Sequence, residues 1–259
     1  MALAAIISVA IAFKPQDKPT LFLIGDSTVK NGRDDGQNKG ALGQWGWGHF
    51  LGDYFDSNKI TVEDDALGGT SSRTFMTNPK LWPTVLAKIK PGDFVMMQFG
   101  ANDANAINDS TRARGTFKNN SDTSVAIHNM LTKQDEVVHS FGWYIRKFIS
   151  DTKAKGGTAI VCSLIPRNNF KDGKVLRADK GYGLWSKQAA EQGGASFLPL
   201  NDIIADDYDK EGQAAVTAKY FTAPETLHTN EGGAKFNAFA VVQGIKGLTD
   251  SKLKDYLKN

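Results

Sequence analysis

Gly25-Asp26-Ser27 closes a short apolar run, TLFLIG. A serine on a tight glycine turn just past a strand stands at the carboxyl edge of a sheet, where a nucleophile belongs in an α/β architecture. Ser27 would also serve as a helix cap, and the tripeptide alone does not choose between the two. Gly68-Gly69 follows the next β-rich run in ALGGTSSRTF. Glycines there let the chain turn sharply and expose amide N–H groups, either as a plain turn or as half an oxyanion hole. Gly100-Ala101-Asn102-Asp103 ends a third apolar run, DFVMMQF. Asn102 is there either a side-chain amide donor at the same edge or a turn residue. His228, in LHTNEGGAKFNA, precedes the last helical pattern, and Glu225 lies three residues upstream. A histidine there is either a capping or surface group, or an imidazole that a carboxylate at that spacing can reach across a loop turn and fix in one tautomer. A serine, an imidazole backed by a carboxylate, and converging N–H donors are the parts of nucleophilic catalysis at a carbonyl.

Such parts must be held at one sheet edge, and the chain has the pattern for it. Apolar, β-rich runs predict strands over residues 20–25, 59–63, 93–99, 158–165 and 195–200. Between them, helical spacing predicts helices over residues 47–55, 82–89, 136–155, 184–192 and 233–245. The clearest places Phe141, Tyr144, Ile145, Phe148 and Ile149 on one face, with Gly156-Gly157 closing it. Near-continuous apolar strands alternating with helices predict a three-layer α/β sandwich: about five parallel strands with helices on both faces. Residues 104–135 stand apart. They are polar, rich in Asn, Asp, Ser, Thr and Arg, and follow the third strand on the ligand side of such a sheet. We therefore expect a functional loop there.

Composition narrows the rest. The chain has 259 residues, 41% apolar and 23% charged, which excludes a disordered or fibrous class. Net charge is +3 with the signs interspersed, so no nucleic-acid footprint is present. The single cysteine, Cys162, lies in the apolar run AIVCSLI and reads as a core thiol. No apolar run reaches a membrane-spanning length, and no phosphate-binding glycine motif implies a nucleotide. His49, His128 and His139 lack the neighbours of a metal cage. The run ALAAIISVAIAF over residues 2–13 has the length of a signal-peptide apolar core, with Ala10-Ile11-Ala12 as a cleavage-like site but no basic start. We expect residues 1–19 to be a truncated signal peptide and leader, and residues 20–259 a single domain, secreted or periplasmic. An extra strand or a short anchor are the other readings of the N-terminus.

The order of the blocks carries more than any block alone. GDSTV at 25–29, Gly69, GAND at 100–103 and ETLH at 225–228 resemble the sequence blocks of the SGNH (GDSL-like) hydrolases. GGTSSRTF, HSFGWYIRKFISDTKAKG, SLIPRN and HTNEGGAKFNA are similar to rhamnogalacturonan acetylesterases, carbohydrate esterase family 12. The resemblance implies a flavodoxin-like fold and a serine esterase. It assigns Ser27 as nucleophile, His228 as base, and Ser27, Gly69 and Asn102 as the oxyanion hole, with neither metal nor cofactor. Its substrate would be an acetylated pectic polysaccharide or oligosaccharide. The family pattern has Asp three residues before the histidine. Glu225 stands there instead, so both a Ser–His–Glu triad and a Ser–His dyad remain open. Arg73, Arg112, Arg114 and Arg167 flank these blocks; each is either a solvated surface arginine or a guanidinium for the carboxylates of galacturonate. The alternatives are an esterase or lipase for acetylated xylan or other small acyl esters, a non-catalytic carbohydrate-binding protein, and a flavodoxin-like electron carrier.

Overall fold

The computed structural model describes residues 18–30, 32 and 40–258, so the expected leader falls outside them except for its last two residues. In chain order the strands are β1 (Thr20–Gly25), β2 (Thr61–Asp64), β3 (Phe94–Gln98), β4 (Ser124–His128), β5 (Asp135–His139), β6 (Thr158–Cys162), β7 (Phe170–Lys171), β8 (Lys174–Val175) and β9 (Ser196–Leu198). The helices are α1 (Gly48–Leu51), α2 (Ser72–Thr77), α3 (Trp82–Lys88), α4 (Phe141–Ala154), α5 (Tyr182–Gly193), α6 (Leu200–Glu211), α7 (Gln213–Tyr220) and α8 (Glu231–Gly247).

Five parallel strands form the central sheet in the order β2-β1-β3-β6-β9. Side chains alternate across a strand, and both faces are filled. Leu21, Leu23, Met96, Ile160, Cys162 and Leu198 enter one core with Leu51 of α1, Ile204 and Tyr208 of α6, and Val241 and Ile245 of α8. Phe22, Ile24, Val95, Met97 and Val161 enter the other with Trp82 and Val85 of α3, Phe148 and Ile149 of α4, and Ala189 and Ala190 of α5. A strand buried on both faces needs apolar residues at every position, which is why these strands read as unbroken runs. This is the expected sandwich, with Cys162 buried in its core. Among the described residues no helix is long and apolar enough to cross a membrane.

The sheet order runs one way from β1 to β2 and the other way from β1 to β3. That reversal makes the carboxyl ends of β1 and β3 a topological switch point, where a crevice opens. The segments after both strands hold Ser27 and Asn102.

Several expectations shift in detail. The helix expected over residues 136–155 starts at Phe141, because Ser140 caps it by accepting from the Trp143 N–H at 3.1 Å. Residues 135–139 instead pair antiparallel with β4, inside the segment expected to be all loop. Residues 47–55 form a short α1 and then a 3-10 turn over Gly52–Tyr54. Residues 136–139 were expected as helix and β4 as loop, whereas α2, α6, α7 and the β7–β8 hairpin had no expectation attached.

Candidate active site

β1 ends at Gly25, where a Cβ would meet Gln98 O at 2.7 Å. Only glycine lets the chain leave the sheet there. Asp26 then folds the turn: its Oδ1 accepts from the N–H of Thr28 at 2.9 Å and from its hydroxyl at 2.8 Å. Val29 and Lys30 N–H close onto Asp26 O. Ser27 rides on this turn rather than capping a helix. Asp26 is fully buried, and burial raises its pKa against the Thr28 bonds.

The histidine arrives from the far end of the chain. Trp45 bridges to Thr229, its N–H donating to Thr229 O at 3.0 Å, and Asn230 caps α8. His228 Nε2 lies 2.8 Å from Ser27 Oγ, and His228 Nδ1 lies 3.0 Å from Glu225 Oε2. Glu225 Oε1 accepts from Thr226 N–H at 2.9 Å and Leu227 N–H at 2.8 Å. Gln44 Nε2 donates to Glu225 Oε2 at 2.9 Å. Partial burial pushes the Glu225 carboxyl up, but the Leu227 N–H and the His228 bonds outweigh it and hold the pKa down to about 2. An ionised carboxylate only accepts, so Nδ1 carries the imidazole proton and Nε2 is left to accept from Ser27.

The donors come from the loops after β2 and β3, which are tied to each other. Gly69 has φ of +83°, outside ordinary side-chain territory, and its carbonyl accepts from Arg114 Nη1 at 2.5 Å. Asn102 Nδ2 donates one hydrogen to Thr70 O at 2.8 Å; a carboxamide nitrogen has a second. Asp103 is buried and accepts from the Ser72 hydroxyl and from Ser72 N–H at 3.1 Å. Burial raises its pKa to about 7 despite those bonds. Gly68 lies beside Ser27 and Lys30, where a Cβ would make ordinary contacts of 3.6 and 3.5 Å with their side chains.

Ser27, Gly69, Asn102, Arg112, Arg114 and His228 line one cavity of about 720 Å³, together with Lys30 and Gln44. A smaller one of about 270 Å³ lies beside it, lined by Gln44, Thr222, Glu225 and His228. Asp109 builds the turn that presents the arginines. It accepts from Thr111 hydroxyl and N–H, Arg112 N–H and Ala113 N–H. The Thr111 hydroxyl bond, then the backbone bonds, hold its carboxyl well below the usual range.

Two of the four arginines are elsewhere. Arg73 is fully buried and its donors are taken. Nε and Nη2 grip Glu136 at 2.7 and 2.6 Å, and Nη1 donates to Ile107 O at 2.6 Å and Gly115 O at 3.0 Å. It holds the polar loop and the β4–β5 hairpin to α2, and it has no face for a ligand. Arg167 is exposed and borders a separate cavity with Ile165, Pro166 and Leu176. Lys30 and Gln44 were not singled out in the sequence. Neither lies in a motif that names it, and only the fold brings Gln44 across to Glu225. His49 packs on Trp45 and Phe50, His139 stacks on Trp143, and His128 pairs with Asp135 at the surface.

A serine hydrogen-bonded to an imidazole that a carboxylate orients, in a cavity that Gly69 and Asn102 also line, has the parts to attack a carbonyl. Comparison with known proteins agrees. Rhamnogalacturonan acetylesterase RhgT of Bacillus subtilis is 35% identical over 253 residues, covering 92% of this chain and 93% of its own. Rhamnogalacturonan acetylesterase of Emericella nidulans is 23% identical over 87% of this chain and 84% of its own. The crystal structure of protein YxiM from Bacillus subtilis superposes with a TM-score of 0.70 at 26% identity, over 90% of this chain and 57% of that longer one. The GDSL-like lipase/acylhydrolase family model matches residues 23–236, nearly the whole sandwich, and the chain belongs to that family of ester hydrolases.

Proposed function

We propose that this esterase removes acetyl groups from a pectic polysaccharide, rhamnogalacturonan, through a Ser27–His228–Glu225 triad and an acyl-enzyme. The observation that carries the reading is the unbroken chain from Ser27 Oγ through His228 to Glu225, at 2.8 and 3.0 Å, opening onto a cavity rimmed by Arg112 and Arg114. Ser27 Oγ attacks the acetyl carbonyl carbon while its proton passes to His228 Nε2. Glu225 steadies the imidazolium without taking the proton. The oxyanion is met by the N–H groups of Ser27 and Gly69 and by the Asn102 amide. The tetrahedral adduct collapses: the C–O bond to the sugar breaks, and His228 protonates the departing oxygen. Water then attacks the acetyl carbonyl as its proton passes to His228; the bond to Ser27 Oγ breaks, His228 returns the proton to the serine, and acetate is released.

The cavity favours an acidic sugar. Burial, then Arg112 beside it, hold the Arg114 guanidinium below its ordinary pKa. A carboxylate bound between them relieves that repulsion and accepts in the planar geometry a guanidinium prefers. The polar loop over the cavity offers little to an acyl chain. The relatives named as rhamnogalacturonan acetylesterases support the same substrate, and the apolar run at residues 2–13 supports export.

The test is acetate release from acetylated rhamnogalacturonan fragments against acetylated xylan, with Ser27→Ala beside the parent. We expect faster release from the rhamnogalacturonan fragments and a loss of several orders of magnitude in S27A at unchanged Tm. Equal or faster release from xylan overturns the substrate, and an active S27A overturns the nucleophile.

A further inference from the structure

Resting on the triad just proposed, we propose that Gln44 is the positioning residue that makes a glutamate serviceable as its acid. A glutamate carboxylate hangs on one more rotatable bond than an aspartate, so more torsional freedom must be removed before it can orient an imidazole. The local backbone removes only part of it. Thr226 and Leu227 N–H both bond Oε1, and the group is still partly exposed, with 29% of the side-chain surface open. With the backbone holding only Oε1, nothing but the imidazole that must be aimed would hold Oε2. Gln44 Nε2 also donates to Oε2, at 2.9 Å, beside His228 Nδ1 at 3.0 Å. With both oxygens bonded, the carboxylate plane is fixed.

The amide is itself on a firm mount. Gly43 N–H closes a turn onto Gly40 O at 3.0 Å, and Trp45 Nε1 donates to the same carbonyl at 3.1 Å. Trp45 N–H bonds Thr229 O at 3.0 Å, next to His228 itself. The residue that aims the acid and the loop that carries the base thus form one hydrogen-bonded unit. Because Glu225 is ionised, the NH₂ end of Gln44 must face it. The role therefore belongs to a donor, not to a side chain of that shape.

The experiment is a double-mutant cycle on 4-nitrophenyl acetate, a substrate too small to need binding contacts from Gln44. The variants are Gln44→Ala, Gln44→Glu, Glu225→Gln and Gln44→Ala/Glu225→Gln, each with its Tm and pH–kcat profile. We expect Q44A to lower kcat roughly tenfold to a hundredfold, the range of one hydrogen bond to a charged group, with KM and Tm little changed. Q44E keeps the shape but replaces the donor by a second carboxylate, and at pH 8 it should be at least as damaging. In the E225Q background, Q44A should cost less than about twofold, because the acid it aims is gone. A neutral Q44A beside a crippled E225Q overturns the role of Gln44 and leaves the triad standing. So does an active Q44E, or an equal Q44A loss in both backgrounds. An E225Q that costs less than about tenfold overturns the triad, and this inference with it.

Discussion

Replacing Arg73 by methionine should loosen the substrate-side loop without touching the reacting groups. Arg73 and Glu136 are bidentate, with side-chain exposures of 1% and 17%. Removing one partner of a buried pair costs about 3–5 kcal/mol, because the other charge is left behind without its counterion. Glu136 keeps the Asn129 amide at 2.9 Å and some contact with water, so the lower end, about 3 kcal/mol, applies. For a chain of this size that is a Tm loss of about 6–12 °C. The pH dependence has a defined sign. Burial pushes the Glu136 carboxyl up, but the Arg73 and Asn129 bonds outweigh it and hold it below its ordinary value. A depressed carboxyl stabilises the fold above its unfolded pKa, about 4.3, and loses that contribution as pH falls through the folded value. The gap between parent and R73M should therefore be widest near neutrality and close in acid. R73M/E136L should recover much of the loss, since an apolar pair leaves no stranded charge. The loop released from Ile107 O and Gly115 O carries Arg112 and Arg114, so KM for acidic oligosaccharides should rise while kcat on 4-nitrophenyl acetate holds. Thermal melts at pH 3 to 8 and the two assays decide it. A Tm within about 2 °C of the parent, or an unchanged KM, refutes the clamp.

Three further outcomes are open to direct measurement. Asn102→Ala should lower kcat on 4-nitrophenyl acetate by ~10²–10³ with a much smaller change in KM, as expected for one oxyanion donor; a KM rise at constant kcat would make Asn102 a binding residue. Arg112→Ala should raise KM for galacturonate-containing substrates severalfold and weaken its salt dependence, leaving neutral acetyl esters unaffected; equal effects on both would refute carboxylate recognition. Asp64→Asn should flatten the pH dependence of stability. Burial raises the Asp64 carboxyl to about 8, against the Ala66 N–H bond and helped by Asp65. The folded state then holds a proton that the unfolded chain releases near ~4, so stability falls as pH rises across that window. A parent and D64N whose Tm values differ equally at pH 5 and pH 8.5 would contradict this.

What could be read in advance follows a physical line. β1, β3 and β6 were legible because a strand buried on both faces has no polar positions to confuse the pattern. α4 was legible through its apolar face, but its start was not. Glu136 and Val137 fit a helix as well as a strand until the pairing of β5 with β4 and the Ser140 cap are seen. β4 itself was hidden, since SVAIH is short, exposed and set among polar residues. Arg73 looked like a free cation beside Gly69 because its partner is 63 residues away. Arg167 sits close to the site in sequence blocks but borders a different cavity. Gln44 is the clearest case of what stays hidden. Its contact with Glu225 spans 181 residues and is created only by the fold.

The short motifs were readable for a reason that the loops share. GDSTV, GAND and ETLH each contain a carboxylate that organises a loop of the site, and Asp109 does the same in the polar segment. Asp26 accepts from Thr28 to form the nucleophile turn, and Glu225 accepts from Thr226 and Leu227 to form the histidine turn. Asp109 accepts from three successive N–H groups to raise Arg112 and Arg114, and Asp103 ties the Asn102 loop to the start of α2. Acidic side chains that bond nearby N–H groups offer the backbone an alternative to helix or sheet, so they mark irregular segments from sequence alone. Their environments then separate them. The two beneath the site, Asp26 and Asp103, are buried and held towards the neutral form. The two at its rim, Glu225 and Asp109, are partly exposed and held towards the charged form. Burial thus raises the carboxyls next to the Ser27 and Asn102 loops, and hydrogen bonding lowers the one beside the His228 imidazole. Environment separates four similar loop-forming carboxylates: Glu225 bonds the His228 imidazole, while Asp26, Asp103 and Asp109 bond backbone N–H and hydroxyl groups.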